Sequence, residues 1–352
     1  MKLLTVSSLY KRFNLEAGFF ARFGRFVNAV NDISFSIGKN ESYGLAGESG
    51  CGKTTTARML VRMYEADSGQ IVFHGDKTIS VGSLQKKDLR KYREKVRYVF
   101  QDPARSLNPR MNVYEVLVSG CRRPLRQKGI SEKELRRKAA AILEEVGLQA
   151  ADLEKRPSEF SGGQRQRISI ARALLMEPEL LICDEVVSAL DVSVQGQILN
   201  LLLDIRKKRN ISFLFIVHDL KVACYFCDRI GIMYRGELME EAPAENLYRE
   251  AMHPYTRLLF SSAAGLEEEF NTEAQSRGEK SEIRKQPNST KINNPSAQIN
   301  ENILSMSCSF APRCKQAAEQ CFNEHPQLKE IKPGYFLRCF GHAAPNIPPD
   351  NP

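Results

Sequence analysis

The chain has 352 residues, 42% of them apolar and 26% charged, enough for one large core with additions or for two domains. No stretch approaches the roughly 18 to 20 uninterrupted apolar residues of a membrane span, and residues 1–5 lead into a strand-like pattern rather than a secretory core and cleavage site, so a cytoplasmic protein is expected. The formal charge of +9 is compatible with nucleic acid or an anionic membrane surface, but Lys and Arg are spread along the chain among many acidic residues, and nine cysteines in that compartment do not point to a disulfide framework.

Residues 3–9 (LLTVSSL), 29–37 (AVNDISFSI) and 71–75 (IVFHG) read as short strands, with an irregular insertion at 11–27 and a Gly-Lys-Asn turn at 38–40. Between the second and third strands, residues 43–46 end a buried strand and residues 55–60 begin a helix. The run between them, GESGCGKT from Gly47 to Thr54, fits the G-x-x-x-x-G-K-[ST] pattern of a phosphate-binding loop in the context that pattern requires. Gly47, Gly50 and Gly52 let the backbone curl so that successive N–H groups, those of Glu48, Ser49, Cys51 and Thr55 among them, point at phosphate oxygens. Lys53 would neutralise the β- and γ-phosphates, and the Thr54 hydroxyl would ligate Mg²⁺.

Further along, residues 96–100 form an apolar strand ending at Gln101, and a charged amphipathic helix is expected at 131–146. Ser161-Gly162-Gly163-Gln164 precedes a helix at 165–175 with Ile168, Ala171, Leu174 and Leu175 on one face. Alone it is a capped helix start, but its exposed N–H groups would also suit a second phosphate contact. Residues 180–183 form an apolar strand running into Asp184 and Glu185. Successive strand side chains point opposite ways, so the two carboxylates divide the work: Asp184 to the Mg²⁺ shell, Glu185 to the attacking water. A helix at 194–208 leads to a strand at 211–217 that ends in His218. Gln101 and His218 thus both stand at carboxyl ends of strands, where ligands of parallel sheets collect. Gln101 suits Mg²⁺ or water, and His218 suits the γ-phosphate. Residues 265–302 are polar and low in hydrophobicity, as in a flexible linker.

The ordered set Gly47–Thr54, Gln101, Ser161–Gln164, Asp184-Glu185, Ser188-Ala189-Leu190-Asp191 and His218 resembles the ATP-binding cassette (ABC) ATPases over about residues 3–245. The resemblance implies an α/β P-loop NTPase core with an antiparallel β subdomain, a helical subdomain insert and a small cysteine-rich C-terminal extension. It also implies a head-to-tail dimer with ATP and Mg²⁺ between the loop of one subunit and the SGGQ of the other. Glu185 would be the general base and Asp191 would couple the two sites. An aromatic near the N-terminus would stack on adenine; Phe13 is the best positional match, with Tyr10, Phe23 and Phe26 as competitors. The boundaries that follow are 1–250 for the nucleotide-binding domain (helical subdomain about 102–170), 251–264 for a helical extension, 265–304 for the linker and 305–352 for the extension.

Residues 100–103 (FQDP), 106–111 (SLNPRM), 159–164 (EFSGGQ) and 253–259 (HPYTRLL) resemble the oligopeptide and dipeptide importer branch, the SLNPRM stretch its F-type subunit. Implied partners are a D-type ATPase paralogue or a second copy of the chain, two membrane permease subunits and an extracytoplasmic solute-binding protein, with no nucleic acid. The implied place is the cytoplasmic face of the cell membrane. Related importers carry nickel or other small solutes, and soluble members of the family act without a permease. Val186 departs from the family's usual proline after the glutamate, a change expected to leave hydrolysis intact. Cys308, Cys314, Cys321 and Cys339 are spaced by five, six and seventeen residues, wider than the opening pair of a zinc site. Zinc, an iron–sulfur cluster or buried free thiols all remain open by chemistry. The tail resembles that of peptide-importer ATPases, some of which are implicated in binding a [4Fe-4S] cluster.

Overall fold

The computed structural model describes residues 1–14, 26–188, 190–263 and 307–341. In chain order, β1 (Lys2–Asn14), β2 (Phe26–Gly38) and β3 (Ser42–Ala46) lead to α1 (Lys53–Leu60), then β4 (Ser68–His74), β5 (Thr78–Ser80), α2 (Lys86–Lys95) and β6 (Val96–Val99). A helical section follows, with α3 (Pro103–Ser106), α4 (Val113–Val118), α5 (Arg122–Gln127), α6 (Glu132–Glu145) and α7 (Gly162–Leu174). The chain returns through β7 (Leu180–Asp184), α8 (Val192–Arg209), β8 (Ser212–Val217), α9 (Leu220–Phe226), β9 (Arg229–Tyr234), β10 (Glu237–Pro243), α10 (Ala244–Glu250) and α11 (Pro254–Ala263). The tail adds α12 (Glu319–Asn323), β11 (Lys329–Lys332) and β12 (Tyr335–Leu337). The linker expected at 265–304, Phe23 and Ala189 lie outside the described residues.

The main sheet has the order β11-β12-β10-β9-β3-β8-β7-β6, and its strands from β9 to β6 are parallel. β3, β7 and β8 are buried at every residue, which is why they read as continuous apolar runs. Alternation along β7 and β8 divides the interior between two clusters. Leu180, Ile182, Leu214 and Ile216 pack toward a second sheet, β2-β1-β4-β5, and Leu181, Cys183, Phe213 and Phe215 pack with the helical section.

The irregular insertion expected at 11–27 is corrected at both ends. β1 continues to Asn14 and β2 begins at Phe26, with Phe13 paired to Val27 and Asn14 to Phe26. Register shifts between Val6 and Leu9, Leu9 and Lys11, and Lys11 and Arg12 break the two-residue alternation, so the strand loses its sequence signature while keeping its pairing.

The described part of the extension expected at 305–352 is continuous with the main sheet: β12 pairs with β10, Leu337 opposite Glu240. β10 carries three buried glutamates, and the tail supplies partners for two of them. Ser309 Oγ donates to Glu237 at 2.8 Å and His325 Nε2 lies 2.9 Å from it. The Tyr335 hydroxyl and the N–H groups of Met252 and His253 all bond to Glu240, which is fully buried.

Candidate functional site

The phosphate loop joins β3 to α1. No side chain caps α1, whose first turn carries no acidic residue, so its N–H groups and the positive end of its dipole face the loop uncompensated. Gly52 is held at a φ of 109°, and a Cβ there would come 2.1 Å from the Ala29 carbonyl oxygen of β2. Only glycine fits that approach. The buried Lys53 turns back on its own loop, donating to the carbonyls of Gly47 at 2.7 Å and Glu48 at 2.9 Å. Ser49 and Gly50 are exposed, Glu48 and Thr55 half-buried, and Cys51 is buried, which pushes its thiol up.

Neighbouring strands deliver the remaining groups to the same end of the sheet. Thr54 Oγ1 donates to Asp184 Oδ1 at 2.9 Å, tying α1 to the end of β7. The Tyr98 hydroxyl, from β6, donates to the other carboxylate oxygen at 2.5 Å. The chain turns sharply at Glu185, whose φ of 49° is unusual for a residue with a side chain. That turn resolves the alternation problem and lets Glu185 accept a hydrogen bond from Gln101 Nε2 at 2.6 Å. His218 stands exposed just beyond β8. The hydroxyl of Thr54 and the carboxylate of Asp184 are hard oxygen donors side by side, a set that suits Mg²⁺.

Other expected residues are placed elsewhere. Ser161 and Gln164 form a reciprocal capping box at the start of α7, which packs chiefly against α3, α4, α6, α8 and β6. Gly163 has a packing reason of its own, because a Cβ would meet Val194 Cγ1 at 2.5 Å. Asp191 caps α8 by accepting from the Val194 N–H at 2.9 Å. Phe13 is half-buried and lies edge-on to Tyr64. Its cross-strand partner Val27 is two residues from Ala29, where β2 crosses the loop.

A metal cluster on the tail, one of the readings left open by its cysteines, gains no support. The Cys308 N–H donates to the Cys321 carbonyl at 2.8 Å, so two of the four segments are joined. Yet among the described residues, Cys308, Cys314, Cys321 and Cys339 included, no three His, Cys, Asp or Glu side chains form a group that could hold a metal ion. Burial pushes the Cys308 thiol up to about 11 and raises that of Cys339, with neighbouring tail cysteines adding to both.

Three participants escape sequence reasoning. Tyr98 sits in a strand read only as apolar. Tyr255, from the HPYT segment, accepts from the Glu48 N–H at 2.9 Å, and Arg313 of the tail bonds the Glu48 carboxylate. Only the HPYT run carries a signal in sequence, and it reads as a branch marker rather than a contact.

Residues 30–188 match the family described as ABC transporter, and residues 239–321 the one described as oligopeptide/dipeptide transporter, C-terminal region. The oligopeptide transport ATP-binding protein OppF of Bacillus subtilis is 38% identical, with 96% of each chain covered. The oligopeptide transport ATP-binding protein AppF of the same organism is likewise 38% identical over 96% of each. This chain belongs to the ABC transporter family, in its oligopeptide/dipeptide branch. The cassette MJ0796, solved as a dimer in a post-hydrolysis state bound to ADP and Pi, superposes with a TM-score of 0.58 at 25% identity, covering 69% of this chain and 99% of that one. Among the described residues of this ABC protein no helix is long and apolar enough to cross a membrane.

Proposed function

We propose that this chain hydrolyses ATP to drive the import of oligopeptides or dipeptides, working at the cytoplasmic face of the cell membrane beneath two permease subunits. The observation that carries the reading is the convergence of Lys53, Thr54, Gln101, Asp184 and Glu185 at the carboxyl ends of β3, β6 and β7, parallel strands of one sheet. The similarity to OppF and AppF supports the cargo.

ATP binding pulls Lys53 from the carbonyls of Gly47 and Glu48 to the phosphates. Thr54 and Asp184 would hold Mg²⁺, which would supply positive charge to offset that of the phosphates. Glu185 then takes the proton of the attacking water, once Gln101 has released its carboxylate, and His218 steadies the γ-phosphate. Ser161–Gln164 open α7 on the helical section, so a second cassette supplies the signature that closes this site. That second cassette is a D-type paralogue or another copy of this chain. Phe13 stacks on adenine, Asp191 links Glu185 to the dimer interface, and residues 102–120 meet the permease. An extracytoplasmic binding protein selects the cargo.

Replacing Glu185 with Gln in the paired protein tests the chemistry. Turnover should fall by roughly 10² to 10⁴-fold while ATP still binds and holds the dimer closed, as loss of a general base requires. Turnover equal to wild type would refute the assignment.

A further inference from the structure

Glu48, the second residue of the phosphate loop, is held from the far end of the chain. Arg313 Nη1 donates to its Oε2 and Nη2 to its Oε1, both at 2.8 Å, a two-pronged pair spanning the loop and the tail. The Glu48 backbone is engaged too, its N–H donating to the Tyr255 hydroxyl and its carbonyl accepting from Lys53. Arg313 lies over the rings of Tyr234 at 5.6 Å and Phe310 at 5.8 Å. Those rings pack on each other and on Tyr255. One aromatic cluster, drawn from β9, α11 and the tail, therefore seats both groups that grip Glu48. The Arg313 fork holds the Glu48 carboxyl below its usual range, so the pair is charged at neutral pH. Without Arg313, a bare carboxylate would sit in a loop that must receive polyanionic phosphates, and like charges repel.

We propose that Arg313 is a positioning residue of the nucleotide site: it neutralises Glu48 and steadies the phosphate loop, so that the tail sets the affinity for ATP. The proposal rests on the reading of residues 47–54 as the ATP site. It differs from a purely structural role, in which Arg313 would serve only to fold the tail.

The test is equilibrium binding of a ribose-labelled fluorescent ATP to the full chain, in wild type, Arg313→Ala, Glu48→Gln and the double variant, with Lys53→Ala as reference. Both side chains are about two-fifths exposed, so the effect is that of a partly solvated pair: Arg313→Ala should weaken binding by about three- to tenfold. In the Glu48→Gln background the same substitution should change binding less than about twofold, because the charge it offsets is gone. Arg313→Lys, which keeps the charge and loses the fork, should recover most of the affinity. In the paired protein, Arg313→Ala should raise the KM for ATP and leave kcat nearly unchanged. Equal losses in both backgrounds, or no loss in either, would overturn the proposal. Unchanged binding in Lys53→Ala would overturn the reading of the loop itself, and the proposal with it.

Discussion

Asp184 is gripped by two hydroxyls, one on each carboxylate oxygen, from Thr54 and Tyr98. On the proposed function Thr54 would turn toward Mg²⁺ when nucleotide binds, which would leave Tyr98 to keep the carboxylate aimed. Burial and the neighbouring Asp184 charge hold the phenol well above its ordinary range, so it donates at every working pH. Tyr98→Phe should therefore cost about tenfold in turnover and raise the Mg²⁺ concentration needed for half-maximal rate, with Mg²⁺-free nucleotide binding unchanged; a Mg²⁺ titration of ATPase rate checks this. Val186 fits the same scale. It is 2% exposed, and the turn it occupies is closed by Ser188, whose N–H and hydroxyl both donate to the Glu185 carbonyl. That closure stiffens the turn without a proline. The loop residues and Asp184-Glu185 were legible because their chemistry is local, glycines and a lysine at fixed spacing or carboxylates at a strand end. Tyr98, Tyr255 and Arg313 were not, since their partners lie 86, 207 and 265 positions away and leave no trace in the surrounding sequence.

Among the elements, α6 and α8 are pinned to each other at their C-terminal ends. Arg209 Nε and Nη2 donate to the two oxygens of Glu145 at 2.8 and 2.5 Å, and the Glu145 side chain is only 9% exposed. Arg209→Ala should destabilise the fold by about 1.5 to 3 kcal/mol, read by denaturant unfolding, as expected when a shielded charged hydrogen-bond pair loses one partner. The pH dependence follows in sign. Arg209 holds the Glu145 carboxyl below its ordinary value of 4.5, so the pair's contribution is complete above that value and fades as pH falls through the lowered one. Wild type and variant should accordingly converge in stability toward strong acid. The helices at 131–146 and 194–208 were readable from their periodicity, and the structure shifts their ends by one or two residues. β9 and β10 were not read at all. Their hairpin turns at Arg235 and Gly236, both with positive φ, but the charged run ELMEEAP disguises a strand whose glutamates are paired in the interior.

For the whole molecule, the tail completes the cassette. Removing residues 305–352 would strip Ser309 and His325 from Glu237 and Tyr335 from Glu240, leaving buried carboxylates short of partners and β10 with an open edge. Thermal unfolding should show the truncated chain melting lower by several degrees, at roughly 1 to 3 kcal/mol for each buried group left unsatisfied. An unchanged melting point would mean that the tail merely rests on the sheet. Composition hid this, because a tail rich in proline and cysteine reads as an appendage, and its contribution to the sheet is two strands of three and four residues. The placement of the candidate site was legible, since consecutive apolar runs ending in polar residues announce a parallel sheet and the end at which it binds. The central claim is that ATP hydrolysis by this chain drives peptide entry. Its most direct test is uptake of a labelled oligopeptide set, with Ni²⁺ alongside, by cells lacking the chain and complemented with wild type or Glu185→Gln. Restoration of peptide uptake by wild type alone is the predicted result. Peptide uptake that Glu185→Gln restores equally, or that responds to neither while Ni²⁺ uptake does, would contradict it.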